Sequence, residues 1–258
     1  WANLRPCRLL PGIPCPLAGR GPDDVDMLLV RENTEGEYAG VGGRAHRGLD
    51  TEVALETSVF SYTGVERVAR HAFELAASRR CLLTSATKSN ASRYGYVLWD
   101  EVVEEVASDF PEVRVERALV DALAARMVRD PGSLDVVVAS NLFGDILTDL
   151  AAAIQGGMGM AASANVAPGD AEVPGVFEPV HGSAPDIAGR GIANPCGAIW
   201  SAALMLEHLS EPEAAAVLMD ALVTTCHEGP RTRDVGGEAT TAEVGEAVAT
   251  RVARARGL

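Results

Sequence analysis

Lysine is almost absent from this 258-residue sequence: of its 22 basic residues, 21 are arginine and one, Lys88, is lysine. Cysteine is also sparse, with five residues, an odd number without metal-type spacing. This usage argues against a disulfide framework or a zinc site and suits a reducing cytoplasm. No apolar run approaches the length of a membrane span, and no signal peptide is recognisable. We therefore expect a cytoplasmic protein without a membrane partner.

Acidic residues outnumber basic residues in this sequence. The formal net charge is −14 and the isoelectric point is near 4.8. Such a balance argues against a nucleic-acid partner and against an anionic membrane surface. With 47% hydrophobic and 22% charged residues, the chain can bury a sizeable core in one large or two modest domains.

The solitary Lys88 is a candidate for proton chemistry. A coding preference for arginine explains the scarcity of lysine but not the one that remains. Arginine is effectively always charged, whereas lysine can lose its proton in a suitable environment. The alternative is that Lys88 survives by chance.

Hydrophobic patterning predicts strands alternating with helices, which indicates an α/β sheet. The predicted strands cover 4–10, 26–31, 53–62, 81–86, 113–118 and 134–139, and the third forms a hairpin with the Gly-rich segment before it. The predicted helices begin at Gly64, cover 96–110, 121–129 and 242–253, and follow residue 140. A further helix ends near His208, with Asn194 at N-cap and Pro195 at N1. The remaining predictions are a polar loop over 31–38, an interdomain hinge over 156–160 and a long loop over 176–195.

The segment Ser140–Leu150 follows a predicted buried strand and opens a helix. Asp145 and Asp149, four residues apart, share one face of that helix and repel each other. No Lys or Arg lies between Arg129 and Arg190, so no cation close in sequence relieves them. A hard divalent cation, Mg²⁺ or Mn²⁺, would do so. A solvated face with two independent carboxylates is the alternative, and spacing alone does not decide between them.

Five motifs follow one another over essentially the whole chain: Leu4–Pro6, Val30–Tyr38, Thr87–Asn90, Asn141–Asp149 and His181–Gly189. In their sequences and their order, these motifs resemble those of the metal-dependent β-decarboxylating dehydrogenases, which act on isocitrate, isopropylmalate and tartrate or D-malate. The sequences of residues 86–90 and 98–101 are most similar to the tartrate/D-malate branch.

The resemblance implies an isopropylmalate dehydrogenase-like two-domain fold. Residues 1–155 would form the metal, substrate and dimerisation domain, and residues 156–258 the C-terminal part of the NAD-binding domain. In the family, a segment on the order of a hundred residues, a usual domain size, precedes the Leu-Arg-Pro motif. It carries a Gly-rich nicotinamide loop and a further arginine. The expectation is therefore that the N-terminal part of the cofactor domain is missing here.

The resemblance also implies roles for the residues at the metal and the substrate. Lys88 would be the base that takes the hydroxyl proton, and Tyr38 would protonate the enol after CO₂ leaves. Lys88 and Asp121 would be contributed across the interface of a homodimer with shared active sites. The metal ligands would be Asp121, Asp145 and Asp149, and the substrate-binding residues Arg5, Arg31 and Asn90.

For the cofactor, the resemblance implies NAD bound to the loop at His181, with His181 itself a cofactor-binding residue. Asp186 would accept hydrogen bonds from a free ribose diol and repel a 2′-phosphate, which favours NAD over NADP. Asn194 would lie near the adenine, and Gly182, Ser183 and Ala184 along the adenosine.

The predicted function is NAD- and divalent-metal-dependent oxidative decarboxylation of a D-malate- or tartrate-like 2-hydroxy acid. Isopropylmalate or isocitrate dehydrogenase activity is the first alternative. The second is an inactive, truncated or regulatory subunit that only dimerises. Retention of Lys88, Tyr38 and the three aspartates argues for the enzyme, whereas the missing segment argues for the second alternative.

Overall fold

The computed structural model of the chain describes residues 1–170, 172–255 and 257. The strands are β1 (Ala2–Arg8), β2 (Asp26–Glu32), β3 (Gly36–Ala45), β4 (Val53–Val59), β5 (Leu82–Thr87), β6 (Arg114–Leu119), β7 (Val136–Ala139), β8 (Ala162–Val166) and β9 (Val176–Pro179). The helices are α1 (Tyr62–Ala77), α2 (Gly95–Ala107), α3 (Val120–Arg129), α4 (Asn141–Ile154), α5 (Cys196–His208), α6 (Pro212–Glu228) and α7 (Thr241–Ala255).

A seven-stranded sheet has the hydrogen-bonded order β6-β5-β7-β2-β1-β8-β9. β5 pairs in parallel with β6 and with β7, where Leu83 lies opposite Val136, while β8 and β9 are antiparallel. β3 and β4 form a separate antiparallel ribbon in which Ala45 lies opposite Val53. The α/β class and the predicted hairpin are thereby confirmed.

The chain divides into two compact units, and the division passes through β1, β2, α3 and α4. The first unit comprises Trp1–Asn3, Leu29–Met127 and Ser133–Leu147. Its core contains all of β5, the apolar face of α1 and the buried Trp99. The carboxylate of Asp135 is fully buried there, where it accepts hydrogen bonds from Arg79 Nε at 2.7 Å and from the backbone N–H of Arg80 at 2.8 Å.

The second unit comprises Leu4–Leu28, Val128–Gly132 and Thr148–Leu258. It holds β8, β9 and the helices α5, α6 and α7. Cys7 is buried in this unit and donates to the carbonyl of Ala151 at 3.3 Å, and burial raises the pKa of its thiol. The predicted domain boundary at residues 155 and 156 stays a prediction.

Several local predictions are wrong. Of the predicted loop over 31–38, only residues 33–35 lie outside strands, and the predicted loop over 176–195 opens with β9. The predicted N-cap of α5, Asn194, lies one residue too early, and Pro195 is the N-cap. Asn194 still caps the helix end through its side chain, since its Oδ1 accepts from the N–H of Cys196 at 2.9 Å. β8 and α6 were not predicted at all. Across the described residues, no helix combines the length and apolarity needed to cross a membrane.

Candidate active site

Arg31 is the centre of the best-defined polar cluster in the first unit. It lies near the carboxyl end of β2 and is buried, with 9% of its surface exposed. Its Nε and Nη2 both donate to Oδ1 of Asn141, at 3.0 and 2.7 Å. Its Nη1 donates to Oδ1 of Asp145 at 2.5 Å. The guanidinium is therefore held by one neutral and one anionic acceptor from α4.

The close approach of Arg31 to α4 depends on Gly144. A Cβ at position 144 would lie 2.6 Å from both Cβ and Cγ of Arg31, well inside van der Waals contact. Asn141 is fixed in turn, because its Nδ2 donates to the carbonyl of Glu35 at 2.9 Å. Asn141 and Gly144 both belong to the 141–149 motif, but their roles could not be read from the sequence.

Tyr38 joins the same cluster from β3. Its hydroxyl donates to Oδ2 of Asp145 at 3.2 Å, and its ring centre lies 5.8 Å from Cζ of Arg31. Desolvation and then the Asp145 carboxylate raise the pKa of Tyr38 above its ordinary value, while Arg31 opposes the shift. The residue is 54% exposed, so its hydroxyl is reachable from solvent.

The glutamates around Tyr38 hold the elements that build this cluster. Glu32 accepts from the backbone N–H groups of Thr34 and Glu35 and thereby closes the turn between β2 and β3. The carboxylate of Glu35 accepts from both the N–H and the hydroxyl of Ser61, the N-cap of α1, at 2.8 and 2.7 Å. These side chains act as turn and cap acceptors.

Glu37 likewise accepts hydrogen bonds at the start of α4. Its carboxylate accepts from the hydroxyl of Ser140 at 3.0 Å, from the backbone N–H of Leu142 at 3.0 Å and from the hydroxyl of Tyr96. The Tyr96 ring stacks on Phe143 with centres 4.7 Å apart. Desolvation and the Glu37 hydrogen bond raise the pKa of Tyr96, which therefore remains a donor. Glu37 thus fixes the helix that carries Asp145.

Lys88 follows β5 directly, and Asp121 lies in the first turn of α3. Lys88 Nζ and Asp121 Oδ1 form an ion pair at 2.7 Å. The hydrogen bond from Lys88 is the main cause that lowers the pKa of Asp121. Asn90 is exposed and lines an open surface cleft of about 520 Å³ together with Asp100 and other residues of α2.

In the second unit, Nη1 of Arg5 donates to the hydroxyl of Thr148 at 2.6 Å and lies 3.8 Å from Oδ1 of Asp149. Asp149 thus has an arginine neighbour, as Asp145 has Arg31. No cation close in sequence relieves these two aspartates, but Arg5 and Arg31 do so from β1 and β2, far away in sequence.

The α4 carboxylates fit a hard cation in chemistry and exposure. The side chains of Asp145 and Asp149 are 40% and 64% exposed and lie one turn apart on one helix. Carboxylate oxygens are ligands that Mg²⁺ and Mn²⁺ accept. Within the described part of the chain, no group of three or more His, Cys, Asp or Glu side chains could hold a metal. The chain therefore offers a pair of carboxylates here.

The predicted cofactor loop is exposed at Gly182, Ser183 and Asp186, and nothing lies within 4 Å of a Cβ placed on Gly182. His181 Nδ1 lies 2.9 Å from the carbonyl of Gly182. The exposed hydroxyl, carboxylate and backbone groups of this loop fit a hydrogen-bonding ligand such as an adenosine group. Asn194 differs, because it is buried and its Nδ2 donates to Asp234 at 2.9 Å.

Comparison with known proteins shows which family the chain resembles. Residues 1–248 match the family model described as isocitrate/isopropylmalate dehydrogenase. A probable tartrate dehydrogenase/decarboxylase of Agrobacterium vitis is 53% identical over 98% of this chain and 71% of its own length. D-malate dehydrogenase [decarboxylating] of Escherichia coli is 50% identical over 96% of this chain and 70% of its own length.

The fold agrees with these likenesses. The crystal structure of isocitrate dehydrogenase from Methylococcus capsulatus superposes with a TM-score of 0.89 at 38% identity, covering 98% of this chain and 73% of that one. The match of residues 1–248 to one family model, with relatives at 53% and 50% identity, leads to a single conclusion. The chain belongs to the isocitrate/isopropylmalate dehydrogenase family.

Proposed function

We propose that this protein catalyses the NAD- and divalent-metal-dependent oxidative decarboxylation of a D-malate- or tartrate-like 2-hydroxy acid. The observation that carries the proposal is the cluster of Arg31, Tyr38 and Asp145, in which a forked cation, a hydroxyl donor and a carboxylate meet. The printed names of the relatives, tartrate and D-malate dehydrogenases, support this substrate class.

Arg5 and Arg31 would bind a carboxylate of the substrate. A guanidinium presents two parallel N–H donors that match a carboxylate, which is stronger and more directional than a single ammonium contact. Arg31 is well suited because it is buried and anchored by Asn141, so little side-chain entropy remains to be lost on binding. Asn90, exposed beside Lys88, would contact the same ligand.

The metal would be held by Asp145 and Asp149, with Asp121 from a second subunit. When bound, Mg²⁺ or Mn²⁺ supplies polarisation of the substrate hydroxyl and offsets the negative charge that develops after decarboxylation. NAD would lie along the loop of His181, Gly182, Ser183, Ala184 and Asp186, with Asn194 at its end, and supplies a hydride acceptor.

Two residues of the chain would move protons. Lys88 would take the proton of the substrate hydroxyl, since lysine can act as a base where arginine cannot. Tyr38 would return a proton to carbon after CO₂ has left. Its raised pKa keeps the phenol protonated at neutral pH, and its exposure lets the proton be replaced from solvent.

The active unit would be a homodimer with shared active sites. The β3–β4 ribbon exposes the apolar side chains of Val41, Val53 and Leu55, and the segment between the two strands exposes Leu49, each between 47% and 66% exposed. A two-stranded ribbon has little stability alone, and exposed apolar groups of this kind mark interaction surfaces. Five free cysteines support a cytoplasmic location.

The test is reduction of NAD by the protein expressed from its complete gene, offered D-malate, tartrate, isopropylmalate and isocitrate side by side. We expect turnover of D-malate or tartrate with Mn²⁺ or Mg²⁺ and none after exhaustive chelation. Full activity after chelation would refute the metal assignment. Binding of subunits without turnover of any of the four acids would favour a regulatory subunit instead.

A further inference from the structure

The Arg31–Asp145 ion pair joins two residues that the proposed function assigns to different ligands. Asp145 would take a divalent cation, and Arg31 a substrate carboxylate. In the structure they hold each other, with Nη1 of Arg31 donating to Oδ1 of Asp145 at 2.5 Å. Each residue therefore competes with the other's ligand.

The two contacts of the guanidinium differ in kind. Asn141 is neutral, is only 5% exposed and accepts both Nε and Nη2, so no cation competes for it. Its own amide is tied to the carbonyl of Glu35. The stem of Arg31 also rests against Gly144, at a spacing that leaves no room for a Cβ. Loss of Asp145 as an acceptor would therefore free Nη1 without releasing the guanidinium.

We propose that Asn141 is the positioning residue of Arg31, and that binding of a divalent cation at Asp145 transfers Nη1 of Arg31 from Asp145 to the substrate carboxylate. The inference rests on the proposed function and adds a binding order to it: the cation binds first and frees Nη1 of Arg31 for the carboxylate of the acid. By linkage, whatever factor the cation adds to carboxylate affinity through Arg31, the carboxylate returns to cation affinity.

The first measurement is the affinity for Mn²⁺ alone, without acid or NAD, followed by electron paramagnetic resonance. Arg31→Gln removes the competitor of the cation, so we expect the Kd for Mn²⁺ to fall by about fivefold or more, the lower end of typical coupling between sites. Arg70→Gln is the matched control, since it removes one positive charge that pairs with Glu66 and Asp109 on the surface. We expect its Kd to stay within about twofold of the unaltered protein, as for independent sites.

Asp145→Asn separates failure of this inference from failure of the proposed function. If Asp145→Asn leaves Mn²⁺ binding unchanged, the metal assignment itself is refuted. If Asp145→Asn abolishes binding but Arg31→Gln does not tighten it, the exchange is refuted and the proposed metal site stands.

A second measurement needs no variant. In ¹⁵N-arginine-labelled protein titrated with diamagnetic Mg²⁺, the Nη resonances of Arg31 should change while its Nε–H stays protected, because Asn141 keeps that bond. Unchanged Nη resonances at saturating Mg²⁺, or loss of Nε–H protection, would overturn the proposal.

A third measurement tests the positioning role of Asn141. Asn141→Ala should raise KM for the acid by about tenfold with a smaller change in kcat, the pattern of lost ground-state positioning. An equal fall in kcat at unchanged KM would contradict the positioning role.

Discussion

Removal of the Glu37 carboxylate is the sharpest test of how α4 is held. The carboxylate accepts from Ser140, Leu142 N–H and Tyr96, and both Ser140 and Tyr96 are buried. Hydrogen bonds to a charged acceptor contribute about 1.5–3 kcal/mol each. The three do not add, because the Ser140 and Tyr96 hydroxyls also lie 2.6 Å from each other and keep that partner. We therefore expect Glu37→Ala to lower the free energy of unfolding by about 2–4 kcal/mol.

Glu37→Gln should cost less, about 1–2 kcal/mol, because the amide keeps one oxygen for the hydroxyls but turns an NH₂ towards the N–H of Leu142. Glu56→Ala, on the exposed face of β4, is the control and should stay within about 0.5 kcal/mol. Urea unfolding followed by tryptophan fluorescence measures all three, since Trp99 is buried in the same unit. A loss below about 0.5 kcal/mol in Glu37→Ala, the range of ordinary surface changes, would refute the reasoning.

Two further predictions concern proton chemistry. Lys88→Arg keeps the charge that pairs with Asp121 but cannot act as a base, so kcat should fall by about 10²–10⁴-fold with little change in KM; near-normal kcat would remove Lys88 from the mechanism. Burial lowers the pKa of His71 below its ordinary value of 6.5, with Glu74 opposing. Because the unfolded chain then binds more protons, the free energy of unfolding should decline as pH falls below about 6.5 and recover as pH rises. His71→Gln should flatten this part of the urea-unfolding profile, and an unaltered profile would contradict it.

Much of the fold follows from local patterning. The apolar period of Val65, Val68, Ala72 and Phe73 predicts α1, and all four side chains are buried. The strand predicted over 134–139 is β7, shortened to Val136–Ala139. β9 escaped prediction because its four residues include Pro179 and have no strong period, and its pairing with β8 is a tertiary contact.

In the site, too, residues within recognisable motifs could be predicted from the sequence, whereas their long-range contacts could not. The resemblance pointed to Arg31, Tyr38 and Asp145, and the structure brings these three together. The helper residues were missed. Glu37 carried a faint signal, as an acidic residue within the Val30–Tyr38 motif. Gly144 carried one as a glycine inside a helical pattern, which usually has a packing reason. Neither signal identifies the residues that Glu37 or Gly144 contacts, because those residues are distant in sequence. Arg31, for example, lies 113 positions before Gly144.

Repulsion between Asp145 and Asp149 is not by itself a reason for a metal to bind these carboxylates. Distance along the chain is a poor guide to electrostatics, since β1 and β2 bring Arg5 and Arg31 to the two carboxylates. Repulsion between the aspartates is thus relieved without a metal ion. A metal must then displace an ion pair, and its affinity rises where the displaced arginine gains another anion in return. A substrate carboxylate is such an anion, so Arg31, which relieves Asp145 without a metal, is also the group that would couple metal binding at Asp145 to binding of the acid.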